Sequence, residues 1–216
     1  MSLFITGTDT GVGKTHTAAR LLHLLRASGM SCAGMKAICC GDRRDAELLL
    51  AAGNGGLTID DVNPVWLKTP AAPMVGSLME KVDVDIDHIL AAFHSLQNQV
   101  EHVIVEGTGG WMVPIRPNYF VSDLAAAMKL PVLAVAYNRL GCLNHALLTV
   151  QSIFGHGLRC VGLVLNNAQE TDDIAALTNA DILRKVLDVP LLCELGENLT
   201  ELPTDWRLML DSIIAS

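Results

Sequence analysis

The chain opens on a short apolar run, Leu3-Phe4-Ile5, which leads directly into Gly7-Thr8-Asp9-Thr10-Gly11-Val12-Gly13-Lys14-Thr15 and then into a stretch with helical spacing. A buried strand, a glycine-rich turn and a helix start, in that order, make a phosphate-binding loop. The amides of the turn and of the helix's first residues converge on an anion. In such a loop Lys14 reaches the terminal phosphates and Thr15 holds Mg²⁺.

The commonest form, G-x-x-x-x-G-K-[ST], would place its first glycine at Thr8, whereas here the glycine is Gly7. The loop is therefore a variant, with Gly11 and Gly13 flanking one residue. Such variants suit nucleoside triphosphatases that act as small-molecule ligases or as dimeric switches. The competing reading is a tight strand-to-helix turn without a ligand.

At 216 residues, with no linker or shift of composition, the chain reads as one α/β domain over residues 1–216. A formal net charge of -8, with its 15 lysines and arginines scattered, argues against a nucleic-acid partner. The six cysteines, at 32, 39, 40, 142, 160 and 193, show no C-x-x-C spacing and read as reduced thiols of a cytoplasmic protein. The first strand begins too early for a cleaved leader to precede it. No apolar run is long enough to span a bilayer.

Apolar runs alternate with helical patterns, the signature of crossover units building a mainly parallel sheet with helices on both faces. The predicted strands are Leu3 to Thr6, Cys32 to Lys36, His102 to Glu106, Val132 to Ala136, Cys160 to Leu165 and Leu191 to Cys193. Helices are predicted at Thr15 to Ser28, Asp45 to Ala52, Asp85 to Gln99, Asn144 to Phe154, Asp173 to Leu187 and Pro203 to Ile214.

Ligands of an open parallel sheet collect beyond the carboxyl ends of its strands, so the residues following each strand carry the chemistry. Lys36 there is either a cation beside the phosphate loop or a lysine that merely reaches solvent. Thr15, Asp45 and Glu106 are oxygen donors of the kind Mg²⁺ takes, although Asp45 reads equally as a carboxylate favoured by a helix dipole. Gly107-Thr108-Gly109-Gly110 holds more glycine than one tight turn requires, which favours a substrate loop. Asn144 either helps a helix start hold a carboxylate or caps that helix. Asn166 is a candidate for reading adenine or an ordinary turn residue.

Together these segments resemble dethiobiotin synthetase, the ATP-dependent ligase family of biotin synthesis. The match is carried by Gly7 to Thr15, Lys36 with Asp45, Val62-Asn63-Pro64, Val105-Glu106-Gly107-Thr108-Gly109-Gly110-Trp111, Leu140-Gly141-Cys142-Leu143-Asn144-His145 and the strand ending at Asn166. The resemblance implies a P-loop NTPase-like fold and a homodimer that joins CO₂ to 7,8-diaminopelargonate at the expense of ATP. It implies that Lys14, Lys36 and Thr10 act in catalysis, and that Gly11, Val12, Gly13, Lys14, Thr15, His16 and Asn166 bind the nucleotide. Thr15, Asp45 and Glu106 would hold Mg²⁺. Lys36, Cys40, Gly107, Thr108, Gly109 and Gly110 would meet the diamine, and Leu143 with Asn144 would bind its carboxylate across the dimer interface.

Three segments depart from the family's pattern, one of them Pro73-Met74, where the family tends to have proline followed by histidine. The family follows the lysine with proline and then serine or threonine before glycine, whereas Lys36-Ala37-Ile38-Cys39-Cys40-Gly41 puts a thiol at Cys40, a weak hydrogen-bond partner. Glu194-Leu195-Gly196 replaces a glycine and isoleucine-proline pattern near the adenine. A divergent homologue and a dimeric nucleotide switch are the alternatives; the switch is disfavoured by Asp9, which stands where such proteins usually carry lysine.

Overall fold

Alternation along the first strand, β1 (Ser2–Gly7), sends Leu3 and Ile5 to one side and Phe4 to the other, and both sides are covered. In the computed structural model, which describes residues 2–167 and 173–195 and only the backbone of 193–195, β1 lies inside a six-stranded sheet. It feeds α1 (Lys14–Ala27), and the chain continues through β2 (Cys32–Lys36), the short β3 (Ile38–Cys40) and α2 (Arg44–Ala52). A single turn, α3 (Ile59–Val62), then β4 (Val65–Leu67), α4 (Pro73–Glu80) and α5 (Ile86–Gln97) lead to the long β5 (His102–Gly110). A small hairpin of β6 (Pro114–Arg116) and β7 (Tyr119–Phe120) precedes α6 (Val121–Met128). The remaining elements are β8 (Val132–Tyr137), α7 (Cys142–Gly155), β9 (Cys160–Asn166), α8 (Ile174–Val186) and β10 (Leu191–Leu195).

The sheet runs β10-β9-β8-β1-β5-β2, and each neighbouring pair is parallel. On one face α1 and α2 bury Leu21, Leu22, Leu25 and Leu49 with Ile5, Ile104, Leu133 and Val164. On the other, α5, α6 and α7 bury Phe93, Leu124 and Ile153 with Phe4, Val105 and Ala134. The fold is thus the predicted one, a parallel sheet between helical layers.

The differences are local. β5 runs past Glu106 to Gly110 because its end pairs with Gly7 at the entrance to the phosphate loop. α7 starts at Cys142, with Gly141 (φ 90°) as the residue before its first turn, so Asn144 lies inside the helix and does not cap it. Helix α6, which the sequence pattern did not single out, is only eight residues long. Its entry is marked by Asp123 reaching back to the Phe120 amide at 2.7 Å, not by a polar residue upstream. The predicted helix from Pro203 to Ile214 and Gly196 lie outside the described residues.

Close approach of α1 and α2 to β2 depends on Gly34. A Cβ there would lie 2.8 Å from both Leu22 Cδ1 and Leu49 Cβ. Gly34→Val is expected to destabilise the fold by about 1–3 kcal/mol through overpacking, lowering the urea midpoint. An unchanged midpoint would mean that α2 does not press on the sheet there.

Candidate active site

Parallel register builds the centre of the site. Lys36, the last residue of β2, lies directly beside Glu106 of β5, and Ile5 of β1 flanks Glu106 on its other side. Ile104, two places before Glu106, packs among the residues under α1. Strand alternation therefore aims Glu106 and Lys36 at the first turn of that helix.

There, Lys36 Nζ donates to Glu106 Oε1 at 2.6 Å and to Asp45 Oδ2 at 2.8 Å. Thr15 Oγ1 donates to the same Glu106 oxygen at 3.0 Å. Asp45 reaches in from the first turn of α2 with its side chain 47% exposed, whereas Lys36 and Glu106 are buried. Burial weakens the hold of Lys36 on its proton, but Glu106 and Asp45 outweigh it and raise its pKa well above the ordinary lysine value. Burial also works against ionised Asp45, yet Lys36 and the Thr15 hydroxyl leave its pKa below the usual value.

Lys14 is buried in the same cluster and donates to the backbone oxygen of Asp9 at 3.0 Å. Burial and the charge of Lys36 lower its pKa to about 8, against the opposing pull of Glu106, Asp45 and Asp9. The second oxygen of Glu106, Oε2, is buried and has no hydrogen-bond partner among the described residues. A buried carboxylate oxygen without a donor beside a hydroxyl and a second carboxylate suits a hard divalent cation. Thr15, Asp45 and Glu106 are thus brought together as a donor set that such a cation fits.

The loop above them is shaped by glycine. At Gly13 (φ 100°) a Cβ would lie 2.4 Å from Asn166 Nδ2, and at Gly7 it would lie 2.7 Å from the backbone oxygen of Asp9. Asn166 Nδ2 donates to the Val12 carbonyl at 3.0 Å, so the end of β9 braces the loop from behind. That bracing is a role neither the adenine reading nor the turn reading anticipated. The side chain of Val12 is buried among the residues around α1.

The cleft in front of the loop encloses about 640 Å³. Thr10, Gly11, Gly13, Lys14, Thr15 and His16 line it on the loop side, with Lys36, Cys40 and Asp45 beside them. Pro70 to Pro73, Thr108, Gly109 and Val113 line the rest. Of the glycine-rich run, Gly109 (φ 65°) faces the cleft, but Gly107 packs against Phe4 and Val121, and Gly110 against the backbone of Thr8. Thr108 spends its hydroxyl on the Ile38 carbonyl at 2.6 Å. Burial raises the Cys40 pKa to about 11, so the residue offers a neutral thiol to the cleft. Leu143 is half-buried and Asn144 exposed at the start of α7, away from this cleft.

Three residues, Asn63, Arg43 and Arg139, position the site through contacts that the sequence reading did not assign to them. Asn63 is buried and donates to the carbonyls of Lys36 and Val65, each at 2.9 Å. Arg43 in turn donates to Asn63 Oδ1 at 2.9 Å while its guanidinium lies over the Trp66 ring. Arg139, from the turn after β8, donates to Asp9 Oδ2 at 3.0 Å and ties that turn to the phosphate loop. No local pattern announces such residues, because each acts on a segment distant in the chain.

A parallel sheet whose inner strand opens into this loop, with a lysine and a hydroxyl at the helix start and a buried carboxylate behind them, defines a P-loop nucleotide-binding protein. Solved structures with this fold include the signal recognition particle receptor FtsY from Elizabethkingia anophelis, with a TM-score of 0.55 and 16% identity, covering 98% of this chain and 64% of that one. Another is the septum site-determining protein MinD from Pyrococcus horikoshii, solved with Mg-ADP, with a TM-score of 0.58 and 18% identity, covering 92% of this chain and 82% of that one. At such identities the likeness concerns the fold alone.

The sequence profile described as an AAA domain matches residues 1–202. The ATP-dependent dethiobiotin synthetase BioD of Akkermansia muciniphila is 46% identical over 194 residues, 90% of this chain and 91% of that protein. The corresponding protein of Aromatoleum aromaticum is 42% identical over 197 residues, 88% and 87% of the two chains. The chain belongs to the ATP-dependent dethiobiotin synthetase family.

The lowered pKa of Lys14 has a measurable consequence. A triphosphate stabilises the charged amine and raises its pKa, so binding above pH 8 takes up a proton, and affinity falls as pH rises through that range. Calorimetry of ATP binding at about pH 8.5, in buffers of different ionisation heat, should report uptake of roughly half to one proton. No uptake would mean that Lys14 is already fully charged in the free protein.

Proposed function

We propose that the chain catalyses the ATP-dependent closure of the cyclic urea of dethiobiotin from 7,8-diaminopelargonate and CO₂, releasing ADP and phosphate. The observation that carries the reading is the buried cluster of Lys14, Lys36 and Glu106 beneath the phosphate loop, in a chain of this family. One amine of the substrate adds to CO₂ and loses a proton, giving a carbamate. A carbamate carbonyl is a poor electrophile. Transfer of the γ-phosphoryl group to the carbamate oxygen supplies a leaving group, and the second amine then attacks the carbonyl and expels phosphate as the ring closes.

Each step moves negative charge, and the cations stand where that charge develops. The amides of Gly11 to Thr15 hold the phosphates at the start of α1. Lys14 and Lys36 stabilise the carbamate and the phosphoryl group in transfer, with Thr10 at the lip of the loop. Mg²⁺, when bound, would neutralise charge on the phosphates, and Thr15, Asp45 and Glu106 are the residues that would hold it.

His16 lines the nucleotide side. Asn166 reads adenine with the amide hydrogen that it does not spend on Val12. Thr108, Gly109 and Cys40 line the diamine region. The protein acts in the cytoplasm as a homodimer in which the half-buried Leu143 and exposed Asn144 of one subunit meet the substrate carboxylate in the other's site.

ADP release with Mg-ATP and bicarbonate should depend on added 7,8-diaminopelargonate and yield a product whose mass shows added CO and a closed urea. Release indifferent to the diamine would reject the ligase and favour a nucleotide switch. Lys14→Ala should lose turnover by about a hundredfold or more while retaining its circular dichroism spectrum. Near-normal turnover in that variant would remove the loop from the chemistry. Glu106→Gln should shift the Mg²⁺ dependence to higher concentration, and an unchanged titration would take Glu106 out of the metal shell.

A further inference from the structure

Lys36 occupies a position with two claims on it. Its Nζ bridges Asp45 Oδ2 and Glu106 Oε1 at 2.8 and 2.6 Å, the two carboxylates to which the proposed function assigns Mg²⁺. A metal ion held by both carboxylates, even through the unpartnered Glu106 Oε2, would sit beside the ammonium that already bridges them. Two cations within a few ångströms of one another in a buried site repel strongly.

The charge balance points the same way. Asp45 and Glu106 bring two negative charges, and Lys36 and Lys14 bring two positive ones, so the cluster is neutral without any ion. A divalent cation entering alone would leave an excess of two positive charges beside the buried Lys14, Lys36 and Glu106. The same cation entering with a triphosphate would be compensated.

We propose that Lys36 is the resident cation of the metal site in the nucleotide-free enzyme, and that a divalent metal enters only with nucleotide, when anionic ligands in the cleft draw the lysine off the Asp45–Glu106 bridge. Lys36 already lines that cleft, so the exchange needs a side-chain rotation and no movement of the sheet. The lysine is thereby delivered to the reacting anion by the step that admits the metal. This rests on Thr15, Asp45 and Glu106 being the metal's residues, and the test separates the two claims.

Mn²⁺ binding to the whole enzyme is followed by the loss of free-ion electron paramagnetic resonance signal, without nucleotide and with a non-hydrolysable ATP analogue. The wild type should bind Mn²⁺ weakly alone and tightly with the analogue, beyond what the analogue takes up in an enzyme-free control. Lys36→Met, without nucleotide, should bind at least about tenfold more tightly than the wild type. Lys14→Met makes the same change of charge while leaving the bridge in place, and should gain markedly less.

Tight binding by the nucleotide-free wild type, or equal gains in the two variants, would overturn the proposal while leaving the metal site intact. Glu106→Gln distinguishes that failure from the other, since unaltered Mn²⁺ affinity in the presence of the analogue would reject the metal site and the proposal with it. Should Lys36→Met fail to fold by near-ultraviolet circular dichroism, Lys36→Gln takes its place. The two wild-type titrations, corrected for the enzyme-free analogue, decide whether the metal waits for nucleotide.

Discussion

The rest of the structure is arranged around the ion pair between Lys36 and Glu106. Taking either charge out of water alone would cost several kcal/mol, and removing one partner of such a pair typically costs about 3–5 kcal/mol. The pair survives burial because both residues end adjacent parallel strands in direct register, and Asp45 and Thr15 supply further polar contacts. Asn63 fixes the end of β2 by its hold on the Lys36 carbonyl, and Arg43 fixes Asn63. The position of the ammonium is therefore set by backbone registration and a chain of buried hydrogen bonds, not by the preferences of a flexible lysine.

The phosphate loop depends on that floor and adds its own constraint. Gly7 and Gly13 occupy points where a Cβ would strike Asp9 or Asn166, and the left-handed backbone at Gly13 is what turns the chain into α1. Lys14 folds back on the Asp9 carbonyl, Asn166 holds the Val12 carbonyl, and Arg139 holds the Asp9 side chain. A nucleotide thus meets a loop already braced from β8, β9 and its own lysine. Its binding would replace internal partners of the cations with phosphate oxygens, which is how the proposed metal entry and the protonation of Lys14 would be linked to it.

Much of this was legible from local pattern. Each of the six predicted strands is present in the sheet, because strands buried on both faces read as unbroken apolar runs whatever their neighbours. The loop was legible because glycine, lysine and threonine at that spacing have few other uses after a strand. Short elements escaped: β3 and β4 have three residues each and exist only by pairing with one another, Ile38 beside Val65. The three glycines after Glu106 look alike in sequence, yet Gly107 makes room for Phe4 and Val121 while Gly109 faces the cleft.

By itself the sequence determined the class of fold, the phosphate loop and the residue types of the site, since apolar periodicity and the conformational demands of glycine act over a few residues. Only the tertiary structure decided which carboxylates meet Lys36, that Asn166 braces the loop, and what Asn63 and Arg139 do for the site. Those facts arise from register between strands and from side chains meeting across the fold. A charge finds its counter-ion through space, and distance along the chain carries no record of it.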